Sequence, residues 1–450
     1  MQKKLLSGLF WVLLANLIVK PFWLLGVEVG VQNAVGNEAY GFYYALFSFC
    51  YIFNILLDLG VTNFNTRNIA QHPQLIGKHL SGILGIKVLL LGLYLLVTFT
   101  VGLLMGYRSE EFHILALLTL CQFLNSLILY LRSNFDGLLL FRWASLFSVL
   151  DRLLMILICG FLLWASKFSI LNFQFTIYHF VYAQLIAYTL TALLAFTVIA
   201  RKAKFRHIQW NPRFFLVILR KSAPFALLVL LMAAYGHVDS VILRPLAGDA
   251  EAGVFAGAFR LLDALTMVAY LVSIPLLPIY SNLCAPKNMK SPLITEQLSS
   301  ITRMVFCPMM IFTIGASLVG CLGAKPIMQL LYGENCIPYI PVFRVVIFGI
   351  IPIGLTYIFG TLLTAGGKLR LLNIFAASSL VLNVVVNLLL IPRLGAVGSA
   401  WASLTAQTFM ALTQLLLAVR IFHLPASTFS LPLPPDLKHI LNLLKEKDNN

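Results

Sequence analysis

Nine charged side chains stand inside long apolar runs of the sequence. Four are basic and could bind an anionic ligand: Lys20, Lys87, Arg152 and Arg260. Four are acidic and could carry a proton or a cation: Glu28, Asp58, Asp239 and Asp263. The ninth is Asp151. At the centre of a bilayer each charge would cost ~2.5–3.5 kcal/mol on insertion scales, so most are expected to face a wet cavity, to pair, or to lie near the interface.

The surroundings of these charges in the sequence differ. Lys20, Lys87 and Arg152 lie deep in their runs without an obvious local acidic partner, which makes them the best candidates to contact an anion. Arg260 and Asp263 share one helix face at i,i+3, so an internal salt bridge is at least as well supported as a ligand site. Glu28 and Asp239 are predicted near the outer ends of their runs, where either could be solvated.

The elements that carry these charges are predicted to be transmembrane helices. The chain is 60% apolar and 11% charged, whereas soluble domains average ~25% charged residues. Its continuous apolar runs are long enough to cross a bilayer as helices and too long for the alternating strands of a barrel. We predict an all-α polytopic membrane protein of about 12 spans, at roughly 8–32, 40–65, 80–105, 112–132, 143–165, 174–200, 222–246, 252–283, 300–324, 341–366, 369–391 and 396–422.

Lysine and arginine predict the orientation of these spans. With the N-terminus inside, the cytoplasmic loops and tails carry 22 basic residues and the opposite loops carry 6. The positive-inside rule therefore places both termini in the cytoplasm, with the apolar stretch from Leu5 as an uncleaved first span. This bias also accounts for the net charge of +16, so nucleic-acid binding is not needed to explain it.

A faint internal repeat divides the spans into two halves. Residues 36–43 read GNEAYGFY and residues 248–255 read GDAEAGVF, at the same predicted side of spans two and eight. A repeat of six spans keeps its orientation in the membrane. We predict two pseudo-symmetric six-helix lobes at 1–200 and 222–424, a cytoplasmic interfacial connector at 201–221 with a short helix beginning at Pro212, and a cytoplasmic tail at 425–450.

The sequence offers little for catalysis or a cofactor. It contains no G-x-x-x-x-G-K-[ST] loop, its seven cysteines are scattered, and its eight histidines do not cluster with a plausible nucleophile. His237, two residues before Asp239, is expected to be solvated near the outer end of span seven. We therefore predict no enzyme activity, no cofactor and no metal site.

Several short motifs, in order along the chain, resemble those of a known family. They are GNEAYGFY at 36–43, LDLG at 57–60, RNIA at 67–70, LYG at 331–333, LTAGGK at 363–368, and the stretch from Asn383 and Asn387 to IPRLGAVGSA at 391–400. Together they resemble the Wzx-like polysaccharide and O-antigen flippases of the multidrug/oligosaccharidyl-lipid/polysaccharide (MOP) exporter superfamily. Ser399 stands where the family usually has alanine.

This resemblance implies a MATE-like fold and a function. Such proteins move an undecaprenyl-diphosphate-linked oligosaccharide across the inner membrane by alternating access, for O-antigen or exopolysaccharide synthesis. By location and charge, and not by a matched motif, diphosphate contact is assigned to Lys20, Lys87, Arg152 and Arg260. Coupling to H⁺ or Na⁺ is assigned to Glu28, Asp58, Asp239 or Asp263. Membrane lipids and other glycan assembly proteins are the expected partners, and no nucleic acid is.

Two alternatives stay open at this stage. A multidrug exporter of the same superfamily would need an acidic cavity for cationic drugs, and four basic against five acidic residues do not decide the matter. A membrane polysaccharide polymerase or ligase would resemble this chain in length and hydropathy. Such enzymes usually carry a large outer loop with catalytic Arg or His residues, and the outer loops expected here are short.

We expect that replacing Lys20 or Arg152 by Ala stops surface-glycan export, because each change removes a cation from the predicted cavity. Export is measured as surface glycan in cells whose expression and folding of the variant are intact. Normal export in both variants would contradict the cationic-cavity hypothesis.

Overall fold

The structure is a computed structural model that describes residues 18–138, 140–167, 174–203, 212–273, 276–284 and 292–430. The predicted start of the first span at residue 8, part of the connector at 204–211 and the tail from residue 431 lie outside these ranges. The described residues form helices joined by turns, so the all-α prediction is confirmed. The helices are α1 (Ile18–Leu57), α2 (Val61–Gln71), α3 (Ile76–Leu104), α4 (Ser109–Gly137), α5 (Phe141–Lys167), α6 (Ile177–Ala203), α7 (Pro212–Ala247), α8 (Asp249–Ser273), α9 (Leu276–Leu283), α10 (Pro292–Leu322), α11 (Ala324–Tyr332), α12 (Tyr339–Val346), α13 (Ile350–Ala365), α14 (Leu369–Leu394) and α15 (Ala396–Phe422).

Within the described ranges, eleven helical segments are long and apolar enough to cross a membrane. One of them, α1, contains two of the predicted spans in a single run from Ile18 to Leu57. Its backbone leaves the helical region at Gly36, where φ is 83° and ψ is 168°. The eleven segments therefore agree with a prediction of about twelve spans, since Gly36 makes the turn between the first and the second.

Other element boundaries differ from the prediction. Pro212 begins a helix, as a proline at the first helical position favours, but that helix continues without a break to Ala247. The short helix expected in the connector is therefore the first part of α7. After α15, a 3₁₀ turn at Ala426–Phe429 packs against α10, where the hydroxyls of Ser299 and Thr428 are 2.7 Å apart. The predicted tail thus begins with an anchored segment.

The chain forms two compact units, residues 1–257 and 258–450. In the first unit, buried aromatic and aliphatic side chains of α1, α4, α5 and α6 form one large core that includes Tyr40, Phe49, Leu118 and Phe180. A second core of this unit, with Leu80 and Tyr130, joins α3 to α4 and α6. These cores position the helix faces that form the site described below. The predicted lobe boundaries at 200 and 222 stay a prediction.

The repeated motifs contact each other within the first unit. Their first glycines, Gly36 and Gly248, both have a positive φ, of 83° and 94°. Their second glycines allow a close backbone approach: a Cβ at Gly41 would clash with the carbonyl oxygen of Asp249, and a Cβ at Gly253 would clash with that of Asn37. The two motifs thus match in conformation and in contact, which supports the internal repeat.

A charged network lies beside this glycine contact. Arg244, near the end of α7, bonds through Nη2 to Glu111 Oε1 at 3.0 Å and through Nε to Asp249 Oδ1 at 2.6 Å. Its guanidinium also lies 4.6 Å from the ring centroid of Phe42. Arg244 was expected as an ordinary loop cation, and in the structure it ties α4 and α8 to α1.

The close contact at Gly253 predicts that a glycine-to-alanine substitution destabilises the protein there but not at an uncrowded helical glycine. We expect Gly253→Ala to destabilise the protein by about 1–3 kcal/mol, because the added Cβ overpacks a backbone contact. Gly92→Ala is the matched control, since a Cβ at Gly92 meets no atom within 4 Å and alanine favours a helix by about 1 kcal/mol. The measurement is the unfolding temperature of both purified variants in detergent. Equal stability of the two variants would contradict the close contact.

Candidate functional site: a polar cavity between three helices

A cavity of about 660 Å³ lies within the first unit. One face each of α1, α4 and α7 forms most of its wall, because residues spaced three or four apart share a helix face. The lining residues are Tyr51, Asn54, Ile55 and Asp58 at the end of α1, Gly60 and Thr62 at the following break, Ser126, Leu129 and Arg132 on α4, and Val229, Met232, Ala233, Gly236 and His237 on α7. Of these, Asp58 and Arg132 carry a formal charge.

The second span breaks at the edge of this cavity. It ends as a 3₁₀ turn, Phe53–Leu57, and Leu59 and Gly60 then have positive φ values of 44° and 81° before α2 begins. Asp58 caps the new helix, since its carboxylate accepts the backbone N–H of Thr62 at 3.3 Å and also the Thr62 hydroxyl. A span predicted to run unbroken to residue 65 is therefore broken at 58–60.

Lys87 of α3 holds this break together. Its ammonium donates to the carbonyl oxygen of Leu57 at 2.9 Å, to Asp58 Oδ1 at 2.7 Å and to Ser126 Oγ at 2.9 Å. An ammonium has three N–H donors, and these three acceptors match them. The Lys87 side chain is 1% exposed, whereas that of Asp58 is 27% exposed. Lys87 has no acidic partner close to it in the sequence, and the fold supplies Asp58 from another helix.

Three other cations of the first unit lie near one another. The charges of Arg152 and Arg132 both repel the half-buried ammonium of Lys20, while the carboxylate of Asp151 attracts it. Arg152 Nη1 donates to Tyr188 Oη at 3.1 Å, and its Nε lies 3.6 Å from Asp151 Oδ2. Arg132 Nε lies 4.0 Å from Asp136 Oδ2. Lys20 thus interacts electrostatically with both Arg152 and Arg132, and the diphosphate contact of these residues stays a prediction. We call Lys20, Arg132 and Arg152 the cationic cluster.

The predicted coupling carboxylates have distinct surroundings. Glu28 ends a π-helical turn, Trp23–Glu28. Its two oxygens accept bonds from Trp23 Nε1 at 2.9 Å and Tyr40 Oη at 3.3 Å, and π-helical turns are frequent at functional sites. Asp239 is 2% exposed. Asp239 is therefore buried, whereas Glu28 is half-buried with both carboxylate oxygens hydrogen-bonded. Their coupling roles stay predictions.

Arg260 and Asp263 belong to the second unit. Arg260 is buried, and its Nη1 donates to Tyr332 Oη at 3.0 Å. The ring of Tyr332 stacks on that of Tyr339, with centroids 3.9 Å apart. Arg260 thus bonds to the LYG motif at 331–333. Asp263 is half-buried on the same helix, and the substrate and coupling roles of this pair stay predictions.

Sequence reasoning missed several lining residues. Arg132 is one of the 22 basic residues that the orientation count assigns to cytoplasmic loops, because it stands at the end of its span. His237 was expected to be solvated, but its ring lies 4.4 Å from that of Tyr51 in the cavity wall. The spacing of Tyr51, Asn54 and Asp58 at i, i+3 and i+7 was a usable signal, since it places three polar groups on one face of span two.

The ion pair at the break predicts that substitutions of Lys87 and Asp58 have strongly coupled effects on stability. We expect Lys87→Met to destabilise the protein by about 3–5 kcal/mol, because it leaves a carboxylate and a carbonyl without their cation. The double variant with Asp58→Asn is expected to cost less than the two single variants together. A double-mutant cycle of unfolding temperatures in detergent measures this coupling. Additive effects would show that the ion pair does not hold the break.

Comparisons with known proteins identify a family and a relative of this chain. A family model described as "Polysaccharide biosynthesis protein" matches residues 5–283. An uncharacterized membrane protein of Methanocaldococcus jannaschii is 22% identical over 414 residues, which cover 88% of this chain and 93% of that protein.

Two solved structures share the fold. The inward-facing conformation of a multidrug resistance MATE family transporter of the MOP superfamily has a TM-score of 0.67 at 15% identity, covering 92% of this chain and 94% of the other. Lipid II flippase MurJ in an inward closed conformation has a TM-score of 0.68 at 14% identity, covering 94% and 88%. The MATE-like fold is therefore confirmed. The chain belongs to the polysaccharide biosynthesis protein family, and it is a Wzx-like membrane transporter of the MOP superfamily.

Proposed function

We propose that this protein flips an undecaprenyl-diphosphate-linked oligosaccharide from the cytoplasmic to the outer leaflet of the inner membrane, with both termini in the cytoplasm. The glycan serves a surface polysaccharide such as O-antigen or exopolysaccharide. The observation that carries this proposal is the charge balance of the first unit. The carboxylate of Asp58 in the cavity wall is neutralised by Lys87. Arg132, which also lines the cavity, interacts electrostatically with Lys20, and Lys20 interacts with Arg152.

Clustered cations in a membrane protein need a compensating anion. Asp151 pairs with Arg152 and Asp136 pairs with Arg132, so Lys20 is the base of the cationic cluster that these two carboxylates do not pair with. A diphosphate carries the opposite charge and accepts charge-assisted hydrogen bonds from guanidinium groups. We assign the diphosphate to Lys20, Arg132 and Arg152. Lys87 has three protein acceptors already and acts by holding Asp58, while Arg260 stays a candidate from the second unit.

The MATE-like fold is compatible with the multidrug alternative, but the ion pairs of the first unit support that alternative less well than the flippase. A site for cationic drugs would offer unpaired carboxylates. In the described part of the first unit, Asp58, Asp151, Glu111 and Asp249 each form an ion pair with Lys87, Arg152 or Arg244. Glu28 accepts bonds from Trp23 and Tyr40 at the end of a π-helical turn, and such turns are frequent at functional sites. We therefore place Glu28 first among the proposed H⁺ or Na⁺ carriers, before Asp58, Asp239 and Asp263.

An enzyme function is less well supported than transport. Two of the predicted outer connections inside the described ranges are short: residues 105–108 join α3 to α4, and Gly395 joins α14 to α15. A polymerase or ligase would need a catalytic group on that side. We propose that the chain uses no cofactor and that glycan assembly proteins act on the substrate before and after it is flipped.

The charge argument predicts the behaviour of Arg132. We expect Arg132→Gln to slow flipping by about 10–100-fold, because it removes a charge-assisted contact of ~1.5–3 kcal/mol. Flipping is measured in proteoliposomes as the rate at which a lipid-linked oligosaccharide becomes accessible to an added glycosidase. Arg142→Gln is the matched control, since Arg142 is exposed at the start of α5. Wild-type flipping in Arg132→Gln would contradict the assignment.

A second measurement separates the two transporter alternatives. Cells lacking the protein are expected to lose surface glycan and to keep normal resistance to ethidium, because a cation gains little from the neutralised cavity. Increased ethidium sensitivity with intact surface glycan would favour the multidrug alternative instead.

A further inference from the structure

One wall of the cavity carries neutral polar groups that have no part in the proposed diphosphate contact. Tyr51 and Asn54 lie on α1, one helical turn apart, and His237 faces them from α7. The rings of Tyr51 and His237 are inclined at 46° with centroids 4.4 Å apart. These three side chains, here called the aromatic–amide wall, combine a ring face with hydrogen-bonding groups.

The amide of Asn54 is oriented by a neighbour. Its Nδ2 donates to Gln122 Oε1 at 3.1 Å, and Gln122 is 3% exposed. In this orientation the nitrogen of Asn54 meets the acceptor oxygen of Gln122, and the oxygen of Asn54 is available to accept from a ligand hydroxyl.

His237 has an unsatisfied nitrogen at the same wall. Its Nδ1 is buried and has no hydrogen-bond partner among the described residues. A buried polar atom without a partner in a native protein needs an explanation. Tyr51 holds the ring in contact with the cavity, so a ligand that brings hydroxyl groups would supply the missing bond after a rotation of the imidazole.

The distance from the cationic cluster indicates which part of the ligand reaches this wall. Asn54 bonds to Gln122 on α4, and Arg132 follows Gln122 by ten residues, which is roughly 15 Å along a helix. Arg132 and Asn54 therefore lie at different levels of the same cavity. A diphosphate bound at Arg132 leaves the level of Asn54 to the sugar chain that is attached to it.

We infer that the aromatic–amide wall is a sugar subsite, in which one sugar ring of the oligosaccharide lies against Tyr51 and its hydroxyls bond to Asn54 and His237. This inference rests on the proposed function and adds the recognition of the glycan to it. Pockets of this type combine apolar surface with a few placed polar groups that fix the orientation of the ligand. A ligand without hydroxyls leaves these polar groups unpaired, which is a strong basis for discrimination.

The test compares two lipids that differ in the glycan alone. The probes are the undecaprenyl-diphosphate oligosaccharide fraction of the host cells and undecaprenyl diphosphate without sugar. Binding to the purified full chain is measured for the wild type, Asn54→Leu, His237→Phe and Arg132→Gln. Leu96→Ala is the control for substitution itself, because Leu96 is 66% exposed on α3, away from the cavity.

The expected result is a change of selectivity. The wild type and Leu96→Ala bind the sugar-bearing lipid more tightly, Asn54→Leu and His237→Phe reduce this preference at least tenfold, and Arg132→Gln weakens both lipids alike. If both wall variants keep the wild-type preference, or weaken both lipids equally, the sugar subsite is wrong while the flippase proposal stands. If the wild type binds neither lipid, both proposals are wrong.

Discussion

A single ammonium group determines how the second span ends. Breaking a helix inside a membrane leaves carbonyl groups without partners, and no water is present to satisfy them. Lys87 and Ser126 both bond to the carbonyl oxygen of Leu57, and Lys87 also neutralises Asp58. Because the break is stabilised in this way, α1 ends beside α4 and α7, and its last turns line the cavity. The shape of the cavity and its charge therefore depend on the same three bonds.

Charged side chains and neutral polar side chains occupy different parts of the first unit. The carboxylate of Asp58 in the cavity wall is paired with Lys87, Lys20 interacts electrostatically with Arg132 and Arg152, and neutral polar groups occupy the wall near Tyr51. An anionic amphiphile with a hydroxyl-rich head fits that order of groups better than a compact organic cation does. The MATE fold by itself is compatible with both ligands, since the fold is shared by a drug transporter and by a lipid flippase.

Hydropathy was enough to predict the helices, because a bilayer demands continuous apolar runs. It was not enough to predict where a span breaks, since Leu59, Gly60 and the distant Lys87 have to meet before the break is stable. The intramembrane charges predicted the region of the site but not their pairing: Asp58 and Lys87 are 29 residues apart and were given separate roles. Arg132 and His237 were misplaced because a position near the end of a span resembles a solvated one in sequence, although a cavity can reach it.

The contact between Gly41 and Gly253 bears on how the two halves of the repeat could have evolved. Each repeated motif presents a glycine to the backbone of the other, which is the isologous pattern of a two-fold symmetric dimer, where one surface patch meets its own copy. A six-span ancestor that paired with itself would have made this contact twice from one motif. After a duplication and fusion the two copies would be free to diverge, and residues such as Arg244 and Asp249 could make one side unlike the other without losing the glycine contact.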